Sequence, residues 1–390
     1  MKKIELLPIL LGSDENAYGC AREFYDGYKI NPLLYCSRPL PPTSYSRILT
    51  RRVIKGLDEP EVFKSIMKET LPVLKNAAEK LLIIPCSDYY AELTVKNRVL
   101  LSEFSDTPII SKQLYERVSG KSAFYKLCKE KGLPCPETEF HTAESLLSIC
   151  QTIDCPVVIK PDNSNSFSYL HLNMENRKKV YICQSCEEIK TIAEGLFSSG
   201  YTAPLTVQRY IPGDKALTVN AYCDKVGRVR LIGAARPLLE YRSPTLIGNY
   251  AALKTVKAED VCDRIASFLE DIGYVGFVNF DLKFDEKTGE YLFFELNPRQ
   301  GRSSYYMQAA EAGLMTALCE DVIFNKEYSG IKYAKEGVVW RNISKMLLKK
   351  HVPSEPSKSL CAISYLYDPS PARAINLLKR DIGSIGLLKE

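Results

Sequence analysis

Tyr274-Val-Gly-Phe-Val-Asn-Phe-Asp-Leu-Lys-Phe284, a polar Asp285-Glu-Lys-Thr-Gly-Glu290 connection and Tyr291-Leu-Phe-Phe-Glu-Leu-Asn-Pro-Arg-Gln-Gly-Arg302 read together as a β-hairpin. Both arms are rich in β-branched and aromatic residues, and Gly289 stands where a three-residue loop, Lys287 to Gly289, needs φ > 0. With Thr288 at the centre of that loop, Asp281 falls opposite Glu295 and Asn279 opposite Asn297. Side chains alternate along a strand, so these four share one face, while Phe280, Leu282, Phe294 and Leu296 point the other way into a core. Two carboxylates facing each other repel unless a cation lies between them. Hard oxygen donors at that spacing suit Mg²⁺, and Mn²⁺ is the other ion such a set accepts. Taken alone, Asp281 would equally suit a solvated hairpin face.

The residues after Glu295 favour the metal. Glu295, Asn297 and Arg299 recur at every second position of Glu-Leu-Asn-Pro-Arg, which puts two oxygen ligands and a cation in file while Pro298 ends the strand. Acid, amide and guanidinium in file suit a metal-bound polyphosphate. Glu295-Leu-Asn-Pro-Arg299, with Asp281 on the adjoining strand, resembles the metal-binding end of the ATP-grasp superfamily, whose members join a carboxylate to an amine through an acyl phosphate. Within it the whole chain is similar to the D-aspartate ligase group of bacterial carboxylate-amine ligases. The stretches that carry this are Pro-Ile-Leu-Leu-Gly-Ser-Asp-Glu-Asn-Ala-Tyr-Gly-Cys-Ala-Arg (Pro8 to Arg22), Pro-Thr-Ser-Tyr-Ser-Arg (Pro42 to Arg47) and Asp88-Tyr-Tyr-Ala-Glu-Leu93.

At 390 residues the chain can bury a sizeable core and calls for two or three domains. Hydrophobic residues at 45% and charged ones at 25% exclude a disordered or collagenous chain. The net charge of +5 is dispersed, which argues against a nucleic-acid partner. Ile4 to Leu11 follows Met-Lys-Lys in the manner of a signal peptide, but Glu5 and Pro8 interrupt it and no small-residue cleavage site follows, so it reads as a first strand. No run approaches the roughly 18 to 20 apolar residues that span a bilayer. The expectation is a cytoplasmic protein with no stable membrane insertion. Thirteen scattered cysteines, with Cys183-Gln-Ser-Cys186 the only close pair, suggest reduced, buried thiols. Three distant histidines, His141, His171 and His351, argue against zinc and against a Ser-His-Asp mechanism.

The fold class read from the pattern is α/β, with an α+β catalytic part: a mostly parallel N-terminal α/β domain over residues 1–117, then an ATP-grasp domain over 118–325. A C-terminal extension, 326–390, holds no interpretable motif. In the first domain, strands Ile4 to Leu11, Leu33 to Cys36 and Leu81 to Pro85 alternate with helices Asn16 to Tyr28, Glu61 to Lys80 and Glu92 to Phe104. Ligands collect beyond the carboxyl ends of such strands, here Gly12 to Asn16 and Cys86 to Tyr90. A helix Lys121 to Lys131 ends at Gly132, and Cys155-Pro-Val-Val-Ile-Lys160 is a short buried strand closed by a lysine. A helix is expected over Ser303 to Cys319, its N-terminus available to an anion.

The resemblance implies a nucleotide between subdomains 118–205 and 206–325, with Lys121 and Lys160 on its phosphates. It also implies a loop over Pro161 to Phe167 closing on them, here with Ser164 and Ser166 where relatives carry glycines. Leu205 to Asp214 matches the hinge against which adenine lies, held by main-chain groups of Gln208, Arg209, Tyr210 and Ile211. The ribose acid falls to Asp214, because Ala216 occupies its usual place. Metal ligands would be Asp281, Glu295 and Asn297, and Arg299, Arg236 and Lys160 would neutralise charge during phosphoryl transfer. The substrates implied are a small amino acid, D-aspartate, and a peptide-type amine acceptor, the lysine of a peptidoglycan precursor stem peptide. Arg22, Asp88 and Arg302 are candidates for substrate contacts. Another amino-acid or dipeptide ligase, or a non-catalytic ATP-binding regulator, are the alternatives.

Overall fold

Three sheets carry the chain in turn. The computed structural model describes residues 3–388 apart from 163–168, 170, 171, 176, 179, 243–245, 247, 355–358 and 365. The first sheet joins β1 (Ile4–Leu11), β2 (Leu33–Cys36), β3 (Thr50–Val53) and β4 (Ala78–Pro85), all parallel, in the order β3-β2-β1-β4. Its central strand β1 is an apolar run whose last six residues are all buried, as a parallel strand covered on both faces requires. Leu6 and Leu10 pack with helix Glu15–Tyr28, while Leu7, Ile9 and Leu11 pack with helix Pro60–Ala77. The strand order reverses at β1, and Asp14, Glu15, Asn16 and Asp88 follow the carboxyl ends of β1 and β4, where such sheets bind ligands.

The second sheet is antiparallel: β5 (Thr138–His141), β6 (Val157–Pro161), β7 (Tyr181–Cys183) and β8 (Leu205–Arg209), in the order β5-β8-β6-β7. Helices Ala143–Ile149 and Cys186–Ser198 supply its core. The third sheet holds β9 (Ala216–Cys223), β10 (Val229–Glu240), β11 (Tyr250–Val256), β12 (Gly276–Asp285), β13 (Glu290–Asn297), β14 (Lys332–Tyr333), β15 (Val339–Arg341) and β16 (Leu360–Cys361). Its order is β13-β12-β9-β10-β11-β15-β16, with β14 against β10. One face packs on helix Glu259–Asp271, and the other shares a core with helix Glu15–Tyr28 of the first sheet.

This is the mixed α/β architecture expected, with corrections in detail. β3 follows no apolar pattern, since its four residues Thr50-Arg-Arg-Val are largely exposed. The expected helix over Ser303 to Cys319 is two, Tyr305–Ala309 and Leu314–Val322, broken where Glu311 takes φ +61 and Gly313 lies against the Gln308 side chain. The first of them is too short to offer an anion a helix N-terminus. Short strands of the C-terminal segment join the sheet that carries the central hairpin.

The hairpin itself departs twice from its expected register, and the departures cancel. Its connection has four residues, Glu286 to Gly289, with Gly289 at φ +73 and its amide bonded to Asp285 O at 2.8 Å. A β-bulge then intervenes between Asp281 and Leu282, so Leu282 pairs with Phe293, while Asp281 still faces Glu295 and Asn279 still faces Asn297. Phe293, 1% exposed, takes the core position expected of Phe294. Phe294 turns toward β6, its ring 5.0 Å from Lys160 Nζ and its carbonyl accepting the Tyr125 hydroxyl at 2.8 Å.

Candidate active site

The second and third sheets and the first domain meet at a cleft of about 320 Å³. Lys121 and Lys160 line it from the second-sheet side, Asp281, Glu295, Asn297 and Arg299 from the hairpin and its continuation, and Arg302, Trp340 and Asn342 from later segments. The Asn297 amide donates to Asn279 Oδ1 at 3.2 Å, and Asn279 donates in turn to Thr218 Oγ1 at 2.9 Å, leaving the Asn297 carbonyl oxygen for the cleft. Gly301 makes this packing possible: its amide reaches Asn220 Oδ1 at 2.6 Å, and a Cβ there would meet the Asn279 amide at 3.0 Å. Burial, and then the facing Glu295, push the Asp281 carboxyl up to about 7 against the pull of Arg299. A cation between the two carboxylates would offset both causes by favouring the charged forms. Two carboxylates and an amide oxygen form a hard donor set that fits Mg²⁺.

Lys160 ends β6 with Nζ 3.1 Å from Gln208 Oε1, whose amide is in turn held by Thr138 Oγ1 at 3.0 Å. Burial, then Lys121, lower its pKa to about 8. Lys121, at the start of helix Lys121–Lys131, lies 3.4 Å from Asp162 O. Sequence reasoning missed Lys283, which shares the strand and parity of Asp281 and stands 5.6 Å over the Tyr210 ring. That parity could have found it. Together the three lysines suit a polyphosphate.

In the hinge, the Arg209 side chain pairs with Asp285 at 2.5 Å and Glu137 at 3.7 Å, tying β8 to the hairpin turn. The Arg209 and Tyr210 amides are used by Glu137 O and Pro156 O, whereas the amide of the buried Ile211 has no partner among the described residues. Ile211 N is therefore a main-chain donor of the hinge left unpaired among the described residues. Asp214 is exposed, and Ser164 and Ser166 lie outside the described residues.

Two arginines cross to the first domain. Arg299 Nε lies 2.7 Å from Asp88 Oδ1, which holds the guanidinium charged although burial opposes it. Arg302 gives Nε and Nη2 to Glu15 Oε2 at 2.8 and 2.6 Å. Two expected site residues lie elsewhere. Arg236 was expected to face the cleft; Ala235 pairs with Thr218, and Thr218 with Asp281, so Arg236 is on the reverse of the sheet. There it borders a different depression, beside Phe284 and Tyr291. Arg22 is buried between the Tyr305 and Tyr367 rings, with Nη1 bonded to Cys361 O and Ala362 O at 2.8 Å each. It fastens the C-terminal segment and does not line the cleft. Glu15 lies in the Gly12 to Asn16 stretch expected at the strand ends, whereas Trp340 and Asn342 carried no signal in the sequence, because only the fold brings them to the hairpin.

The family described as "Carbamoyl-phosphate synthase L chain, ATP binding domain" matches residues 120–314. The chain is 36% identical over 367 residues to the D-aspartate ligase of Enterococcus faecium (strain Aus0004), covering 91% of this chain and 87% of that protein. Its fold is similar to the biotin carboxylase domain of Hydrogenobacter thermophilus 2-oxoglutarate carboxylase, solved with MgADP and bicarbonate, at a TM-score of 0.64 and 15% identity over 87% of this chain and 74% of that one. It is also similar to an L-amino acid ligase from Bacillus licheniformis, at a TM-score of 0.58 and 14% identity over 83% and 75% of the two chains. Among the described residues no helix is long and apolar enough to cross a membrane. The acid-acid-amide set, the lysines beside it and these similarities agree: the chain belongs to the ATP-grasp family of carboxylate-amine ligases, which form a C–N bond using ATP and Mg²⁺.

Proposed function

We propose that the chain joins D-aspartate to the lysine ε-amine of a peptidoglycan precursor stem peptide. The observation that carries this is the 36% identity to a D-aspartate ligase across 91% of the chain, which takes in the first domain as well as the ATP-binding part. The cleft supports it with two guanidiniums, Arg299 and Arg302, beyond the metal ligands. Asp281, Glu295 and Asn297 would hold Mg²⁺, whose charge would offset that of the ATP phosphates. Lys121, Lys160 and Lys283 attract the ATP phosphates, and the free Ile211 amide orients the base. Arg299 screens charge on the phosphoryl group as the side-chain carboxylate of the amino acid attacks it. ADP leaves as the acyl phosphate forms, and the uncharged amine then attacks the acyl carbon, making the C–N bond as phosphate departs and a proton is lost from nitrogen. The route requires no protein nucleophile, and none of the described residues lining the cleft is a cysteine or a histidine.

Phosphate release measured across D- and L-amino acids, with lysine-containing stem peptides as acceptors, tests the reading. D-Aspartate should stand well above D-alanine and D-asparagine. With hydroxylamine in place of the peptide, a hydroxamate should form together with ADP and phosphate. AMP and pyrophosphate would instead mean an adenylate and exclude the mechanism, whereas equal turnover of other amino acids would replace the substrate alone.

A further inference from the structure

Part of the cleft wall comes from the C-terminal segment, through Trp340 of β15 and Asn342 just after it. The Trp340 side chain is 2% exposed, and its indole Nε1 has no hydrogen-bond partner among the described residues. A buried N–H without an acceptor is costly enough to be rare, and one in a cleft wall points to an acceptor that arrives with a ligand. Asn342 Oδ1 takes a hydrogen bond from Arg380 at 3.0 Å, and Glu15 and Asp88 are each held by an arginine. Donors remain. Arg302 commits Nε and Nη2 to Glu15, which fixes the plane of its guanidinium and leaves Nη1 uncommitted among the described residues.

We propose that Trp340 Nε1 and Arg302 form a subsite for a substrate carboxylate, the one that is not phosphorylated. The C-terminal segment thereby completes the substrate end of the cleft. An indole N–H and a guanidinium edge on residues lining the same cleft offer only donors, which suits a carboxylate and disfavours an ammonium or an amide N–H. The assignment rests on the ligase reading for its substrate. The carboxylate could belong to the amino acid or to the peptide acceptor, and the chemistry of the subsite is the same for both.

Trp340 is the single tryptophan of the chain, so intrinsic fluorescence reports on this subsite without turnover. Full-length protein with MgADP is titrated with D-aspartate, with D-asparagine, which keeps the α-carboxylate, and with β-alanine, which lacks it. If the amino acid supplies the carboxylate, D-aspartate and D-asparagine give a saturable change and β-alanine does not. If the acceptor supplies it, only the stem peptide moves the signal. Trp340→Phe, which keeps the ring and loses the donor, should raise KM for that substrate roughly tenfold or more while KM for ATP and the unfolding temperature stay put. Arg302→Lys, which keeps the charge and loses the fork, should weaken the same titration in a protein that retains its tryptophan.

The subsite is overturned if no ligand moves the fluorescence, if β-alanine moves it as far as D-asparagine does, or if Trp340→Phe keeps wild-type KM for both substrates. Absence of phosphate release with every amino acid would instead remove the ligase reading, and the titration would still decide the subsite.

Discussion

Asp281 and Glu295 face each other across one strand pair, with burial and mutual repulsion raising the Asp281 carboxyl to about 7. Glu295→Gln removes a ligand charge at constant volume. It should lower Mg²⁺-dependent phosphate release at least about a hundredfold, with thermal unfolding unchanged; near-normal turnover in a folded variant would take Glu295 out of the site. Lys160 gives a pH signature. Its pKa is lowered to about 8, so the charge that attracts phosphate is present below that pH and lost above it. KM for ATP should therefore climb as pH passes about 8, and Lys160→Arg, charged throughout, should flatten the climb. Asp281 and Glu295 were legible because polar and apolar residues alternate around them. Arg236 was misplaced because Leu231 to Ala235 are buried on both faces of β10, so that strand carries no alternation from which its parity could be read.

The hairpin shows how an element can be right at the site and wrong in its turn: a longer loop and a bulge offset each other, and the bulge places the Phe294 ring over Lys160. Local pattern could not anticipate the break between helices Tyr305–Ala309 and Leu314–Val322, because Ala-Ala-Glu-Ala before Gly313 is good helix sequence and tertiary packing overrides it. The second helix begins against a buried acid, for Glu23 Oε2 accepts the Met315 amide at 2.9 Å. Burial pushes the Glu23 carboxyl up to about 8, although that amide pulls it down. Raised in the folded state, this carboxyl keeps a proton that the unfolded chain gives up. Stability from this group is greatest at low pH and is lost as pH rises from about 4.5 to about 8. Glu23→Gln should accordingly raise the unfolding temperature more at pH 8.5 than at pH 5, as calorimetry at the two pH values would read; an equal shift at both would deny the titration.

Across the whole molecule the chain closes on itself. Arg373, fully buried, donates to Pro42 O and Ser44 O at 2.8 and 3.1 Å and lies over the Tyr18 ring, while Asp368 accepts the Tyr18 hydroxyl and the Arg47 amide. These partners are more than 300 positions apart in sequence, and β14, β15 and β16 are two or three residues long, so the C-terminal segment offered periodicity nothing to read. The two arginines proposed for substrate now separate. Arg302→Ala should selectively lose preference for D-aspartate over D-alanine with ATP binding preserved. Arg22→Ala should leave the preference and cost about 3 kcal/mol in denaturant unfolding, because two buried carbonyls lose their donor. The reverse pattern would exchange their roles. The same closure bears on biosynthesis. Residues 8–47 are synthesised before residues 361–376, yet the contacts that finish their packing wait for that later segment, so the nascent chain keeps Tyr18 and the Pro42 and Ser44 carbonyls uncovered while the residues between are added, within reach of chaperones.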